Sequence, residues 1–290
     1  MKVQAWLLRL SFFAVVATVG VGGSGPASAG TIDTIRAAQT IRIAYREDAP
    51  PFSYKSESSS EPAGYMVNVC RTVVKELGQQ LDMPSLKIAY VPVTAANRFD
   101  KIEKHDADLL CEATSATLSR RKQVDFSIAT FADGASLMTT DANIHELKVL
   151  SGRKVGVLAG TTTEKVLHDM LDDQKITAEV ILAKTHDDGL AMLDSGKISA
   201  YFGDRSILMF LANRSKAQNK LFIADEYFTM EPYALALPHG DEDFRLAVDT
   251  ALSHIYRHGE IGRIFIETFA GKVKPTETIK ALYRLSALPD

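Results

Sequence analysis

The chain has 290 residues, 46% of them hydrophobic, with 33 Lys and Arg against 36 Asp and Glu for a net charge of −3. That length and apolar content suit one large domain or two modest ones. The slight acidic excess argues against a nucleic-acid-binding surface, which needs clustered positive charge.

The first 29 residues have the pattern of a secretory signal peptide. Lys2 and Arg9 form its charged region, Leu10–Val21 its apolar stretch and Ala27-Ser28-Ala29 its cleavage site. The apolar stretch is short for a bilayer span, which needs about 20 residues. An uncleaved membrane anchor is the competing reading, and the flanks fit cleavage better. No cysteine sits at the cleavage site, which argues against a lipid anchor. Cleavage after Ala29 removes Lys2 and Arg9, and the remaining 31 basic and 36 acidic residues give −5. No later apolar run is long enough to span a membrane, so the expected product is exported and soluble.

Ile41–Arg46 is a predicted strand, followed by a Pro- and Ser-rich loop, Glu47–Pro62. Met66–Leu77 carries Val67, Cys70, Val73, Val74 and Leu77 at helical spacing. Leu86–Val93 is a strand, Ala96–Lys104 a short helix and Ala107–Cys111 a strand. This βαβαβ order predicts a largely parallel sheet flanked by helices. After an extended stretch, Ile128–Thr139, the pattern restarts. Strands Lys154–Leu158, Ala178–Leu182 and Ile198–Phe202 alternate with helices Thr162–Leu171, Asp187–Leu193 and Asp204–Asn213. Glu231–Leu237 is extended again, and helices Asp241–His258 and Glu260–Phe269 follow.

Two α/β units are therefore expected, with one chain crossing near Ala129–Thr139 and a return near Tyr227–Leu237. The predicted division is a signal peptide over 1–29, a discontinuous lobe 1 over 30–133 and 235–290, and lobe 2 over 134–234. A single doubly wound sheet would need no second copy of the pattern and fits less well. Ligands of open α/β sheets sit beyond the carboxyl ends of strands, so the expected site is the cleft between the lobes.

Cys70 and Cys111 are the two cysteines. An even count in an oxidising compartment suggests one disulfide, with two buried free thiols as the alternative. Neither has another Cys or a His at metal-ligand spacing, so no metal site is expected. No cofactor is expected either, since there is no Walker A loop, GxSxG or HExxH.

The segment Asp106–Ser127, DADLLCEATSATLSRRKQVDFS, carries the most chemistry. A strand ends in Thr114, Ser115 and Thr117, and a helix start then presents Arg120, Arg121 and Lys122. Such a turn can aim backbone N–H groups, hydroxyls and a guanidinium at one anion, typically a carboxylate. Arg98 follows a second strand and Arg46 closes a third. Three arginines at three strand ends point to a pocket for a ligand carrying carboxylates. Taken singly, each is better explained as a solvated surface charge, since most arginines are exposed.

The ordered motifs also resemble a known family. They are Tyr45-Arg46-Glu47 with Pro51-Phe52-Ser53-Tyr54, Gly64-Tyr65, Thr94-Ala95-Ala96-Asn97-Arg98, Asp108–Ser127, Gly160-Thr161-Thr162-Thr163-Glu164, Lys184-Thr185-His186 and Tyr201-Phe202-Gly203-Asp204. In order and spacing they resemble periplasmic solute-binding proteins for polar amino acids, which serve ABC importers, and within them the glutamate/aspartate branch. The resemblance implies a two-lobed binding-protein fold with a two-strand hinge, a periplasmic and monomeric protein, an amino-acid ligand and a membrane permease as partner. It implies that Arg120 takes the ligand α-carboxylate with help from Thr114 and Ser115, and that Thr161 and Thr162 offer a helix N-terminus. Asp204 would accept the α-ammonium. Arg46, Arg98 and His186 would face a side-chain carboxylate, and Phe52 would pack on the aliphatic part.

Local readings compete with these roles. Thr161, Thr162 and Asp204 also suit helix capping, His186 suits a surface position and Phe52 suits a core. The sequence departs from the branch at Ala95 and Ala113, where hydroxyls are common, and at Glu112, where glycine is usual; that carboxylate could repel an acidic ligand, pair with one of the arginines or point away along the strand. Glutamine is the second expected ligand. An exported dehydratase, with Glu112 as its acid or base, is the expected alternative of a different class.

Overall fold

The computed structural model describes residues 30–215, 220–269, 271 and 273–289. The expected signal peptide lies outside the described residues.

Two five-stranded sheets form two lobes. In the first, the order is Lys87–Val93, Thr40–Arg46, Leu109–Leu110, Glu231–Pro238, Val124–Asp133. The first three strands run parallel, and Glu231–Pro238 pairs antiparallel with both of its neighbours. In the second, the order is Glu179–Ala183, Lys154–Leu158, Ala200–Asp204, Ala135–Thr139, Phe222–Ile223. Its first three strands are again parallel and the last two join antiparallel.

The expected single extended stretch Ile128–Thr139 is two strands in two sheets, Val124–Asp133 and Ala135–Thr139. Gly134 separates them where the returning chain crosses. A Cβ there would lie 1.8 Å from the Thr229 carbonyl oxygen, so only glycine lets the two crossings touch. The Thr229 hydroxyl accepts from the Ala135 N–H at 2.9 Å, which ties the crossings together.

The first core forms around helix Tyr65–Gln80, whose Val69, Cys70, Val73 and Leu77 are fully buried. Spacings of three and four put these side chains on one face of the helix. Cys70 is bonded to Cys111 with their Cα atoms 6.2 Å apart, the disulfide that the exported compartment suggested. The expected loop Glu47–Pro62 instead carries short strands Asp48–Ala49 and Ser53–Lys55, and with Pro62–Ala63 it makes a third sheet. Non-local bonds hold it: the Ser53 hydroxyl bonds both the N–H and the carbonyl of Arg46. Helices Thr31–Ala38 and Glu277–Ser286 were not anticipated. Each is short and gains stability by burying Ile35, or Ile279 and Tyr283, on the body of the fold.

Candidate functional site

The parallel strands of both lobes aim their carboxyl ends at one gap. Arg46 ends strand Thr40–Arg46, and Arg98 opens the short helix Arg98–Glu103. Arg120 opens a single 3-10 turn, Arg120–Lys122, shorter than the helix start expected there. From the second lobe, Thr161 caps helix Thr162–Asp173, His186 begins helix His186–Asp194 and Asp204 ends strand Ala200–Asp204. Of the ten residues expected to hold a ligand, eight line one cavity: Arg46, Arg98, Ser115, Arg120, Thr161, Thr162, His186 and Asp204. The cavity is narrow, about 310 Å³ of space between atoms, little of it wide enough for a water molecule.

The lobes touch across this gap. The Ser115 and Thr162 hydroxyls are 3.2 Å apart, Arg98 Nη2 donates to the Gly160 carbonyl at 3.3 Å, and the His186 N–H donates to Asp48 Oδ2 at 3.4 Å. The conformation is closed.

Its electrostatics are strongly perturbed. Burial, with Arg120 and Arg46 nearby and Glu112 opposing, lowers Arg98 to about 10, so it stays cationic at neutral pH. Burial also lowers Arg120 below its ordinary value. Arg46 is buried but held by Asp48, with Nε donating to Oδ1 at 2.7 Å. Burial would raise Asp48, and the bond from Arg46 overrides it and leaves the carboxyl below its usual range. Burial, with Arg46 close by, takes His186 down to about 3, which leaves a neutral ring whose Nδ1 lies 3.1 Å from the Tyr201 hydroxyl. Burial, then Asp133 and Glu231, pushes Asp204 up to about 8.

Four buried polar atoms of lining residues have no well-directed hydrogen-bond partner: Arg46 Nη2 and Arg98 Nε, which meet Asp48 and Glu112 only as ion pairs, and Glu112 Oε2 and Asp204 Oδ1. Buried polar atoms without a directed bond are costly inside a protein, and their convergence on one cavity suits a polar ligand. Asp204 holds the N-cap position of helix Arg205–Ala212 yet makes no capping bond, so the helix does not engage its carboxyl group. Thr161 does cap its helix, accepting from the Glu164 N–H, while the Thr162 hydroxyl meets that of Ser115 across the cleft. His186 is buried rather than on the surface.

Two expected ligand residues lie elsewhere. Phe52 is fully buried in the first lobe, its ring 4.9 Å from Phe131 and 5.4 Å from Tyr233, and it is not among the residues lining the cavity. Thr114 is buried behind the lining and gives its hydroxyl hydrogen to Glu112. Asp48 was not anticipated as a partner of Arg46. Its signal was the i, i+2 spacing, which puts both side chains on one face of an extended segment.

The chain matches the family described as bacterial extracellular solute-binding proteins, family 3, over residues 41–270. An L-glutamate/L-aspartate-binding protein of Pseudomonas aeruginosa is 31% identical over 247 residues, 85% of this chain and 82% of its own. The glutamate/aspartate import solute-binding protein of Escherichia coli K12 is 27% identical, with 90% and 89% covered. In fold alone, the chain is similar to a cysteine-binding protein from Campylobacter jejuni, with a TM-score of 0.74 at 20% identity over 85% of this chain and 97% of that one.

Proposed function

The chain belongs to the bacterial extracellular solute-binding proteins of family 3, and on that premise we propose that its cleft captures a polar amino acid, with glutamate and aspartate first, for delivery to an ABC-transporter permease. The observation that carries this is one interlobe cavity lined by Arg46, Arg98, Arg120 and Asp204, with four buried polar atoms around it that lack directed hydrogen bonds. Arg120 takes the α-carboxylate, because its planar fork suits two parallel bonds. Ser115 and the N-terminus of helix Thr162–Asp173 add donors beside it. Asp204 takes the α-ammonium, which favours its ionised form. The ligand side chain then meets Arg98, Arg46 and His186.

Capture works by closure. Groups from both lobes are needed to satisfy the ligand, so only the closed form makes every contact and binding shifts the population toward it. The permease reads that shape, and energy for import comes from a separate ATPase. No bond of the ligand is made or broken. The protein acts as a monomer in the periplasm after losing residues 1–29. The lobes are 30–133 with 235–290, and 134–234, moving about the crossings at Gly134 and Thr229.

A thermal-shift screen of the twenty amino acids tests this, since a ligand binding only the folded form raises the melting temperature. Glutamate, aspartate or their amides should give the largest shifts, with one-to-one stoichiometry by calorimetry. No shift from any amino acid at millimolar concentration refutes the reading.

A further inference from the structure

The cleft carries a carboxylate of its own where an acidic side chain would have to go. Glu112 lines the cavity and is fully buried. Its Oε1 lies 3.3 Å from Arg98 Nε and its Oε2 3.8 Å from Arg46 Nη1. The backbone on either side is pinned. Cys111 is bonded to Cys70 and donates to the Ala44 carbonyl at 2.9 Å, and the Thr114 carbonyl accepts from the Ala234 N–H at 3.1 Å. Glu112 can leave this place only by rotating its side chain.

Positive charge in the cleft is therefore partly spoken for. Arg46 is paired with Asp48 and faces Glu112, and Arg98 is paired with Glu112. The Nη1 and Nη2 groups of Arg98 go to the Ala95 carbonyl at 2.5 Å and the Gly160 carbonyl at 3.3 Å. Arg120 alone of the three has no carboxylate within 4.0 Å among the described residues, and it donates to the Ser115 carbonyl at 2.8 Å. One guanidinium without a close ion pair matches one carboxylate, the α-carboxylate that every amino acid carries. A second carboxylate would compete with Glu112 for the same two arginines and be repelled by it at close range in a low-dielectric site. An amide end group would instead donate to Glu112 and accept from Arg98.

On the reading that the cleft binds a polar amino acid, we propose that Glu112 is a specificity-determining residue: its carboxylate competes with the ligand's side-chain carboxylate for Arg98 and Arg46 and so holds down the preference for an acidic amino acid over its amide. The test is calorimetry of wild type, Glu112→Gln and Glu112→Ala with L-glutamate and L-glutamine at pH 7. Melting curves with each ligand provide a second readout if one variant is too unstable to titrate. The ratio of the glutamine Kd to the glutamate Kd should rise at least tenfold in the variants, and glutamate should raise their melting temperature more than it raises that of wild type. A rise of less than tenfold in folded, binding variants overturns the proposal. Loss of binding in both variants while wild type binds also overturns it, because Glu112 would then be a required contact. If wild type and both variants bind no amino acid at all, the amino-acid reading itself fails.

Discussion

Arg120→Ala removes the one cleft guanidinium that no carboxylate among the described residues pairs with. Its head group is positioned before any ligand arrives, by the Ser115 carbonyl at 2.8 Å and by the Phe99 ring, whose centroid is 5.1 Å away. A ligand α-carboxylate then finds a fork already in place, and charge-assisted bonds are worth about 1.5–3 kcal/mol each. Without Arg120 that carboxylate would be buried beside Ser115 with no cation, a defect of about 3–5 kcal/mol. At about 1.4 kcal/mol per factor of ten, the expected loss of affinity is roughly 100- to 5,000-fold. The loss should be similar for glutamate and glutamine, because both carry the group concerned. The ligand-free protein should barely notice: it loses one hydrogen bond, about 0.5–1.5 kcal/mol, and is relieved of a desolvated charge. Isothermal titration of both ligands, beside melting curves of the empty protein, measures all three quantities. A Kd within tenfold of wild type for both ligands, or a loss confined to glutamate, would show that the α-carboxylate sits elsewhere.

Asp204, raised to about 8, holds its proton in the closed, empty cleft at neutral pH. Since an ammonium needs the ionised form, binding should release a proton, and affinity should fall as pH drops from 8 toward 6, by up to about tenfold per unit. Asp204→Asn should bind at least about 100-fold more weakly and show a flat profile; a flat profile in wild type would contradict this role. The Cys70–Cys111 bridge spans 41 residues, for which loop closure in the unfolded chain is worth about 4 kcal/mol. Replacing both cysteines by alanine should lower the melting temperature by roughly 8–15 °C, and a drop of under about 2 °C would mean that the bridge adds little. Gly134→Ala puts a methyl against the Thr229 carbonyl and forces the crossings apart. The expected loss is about 1–3 kcal/mol of stability, with weaker ligand binding in the same variant; unchanged unfolding and binding would mean that the close approach is not required.

Local pattern reveals much of this protein. The alternation of strands and helices, the restart of that alternation after Thr139 and the end-of-strand arginines are all readable, because backbone periodicity depends on near neighbours. The Phe52 ring, by contrast, looks the same in sequence whether it meets a ligand or a core, and its contacts with Phe131 and Tyr233 decided for the core. The break at Gly134 was hidden because residue type alone does not show that Thr229 lies against it. Likewise Arg46 and Arg98 are legible as cations, and Glu112 as a carboxylate that could pair with one of them, repel a ligand or point away; the packed distances decide for pairing. Pattern along the chain sets which groups exist and which way each element faces. How much of their charge is left for a ligand is set by distances between side chains from separate segments, Arg46, Arg98 and Glu112 among them, and only the packed fold fixes those.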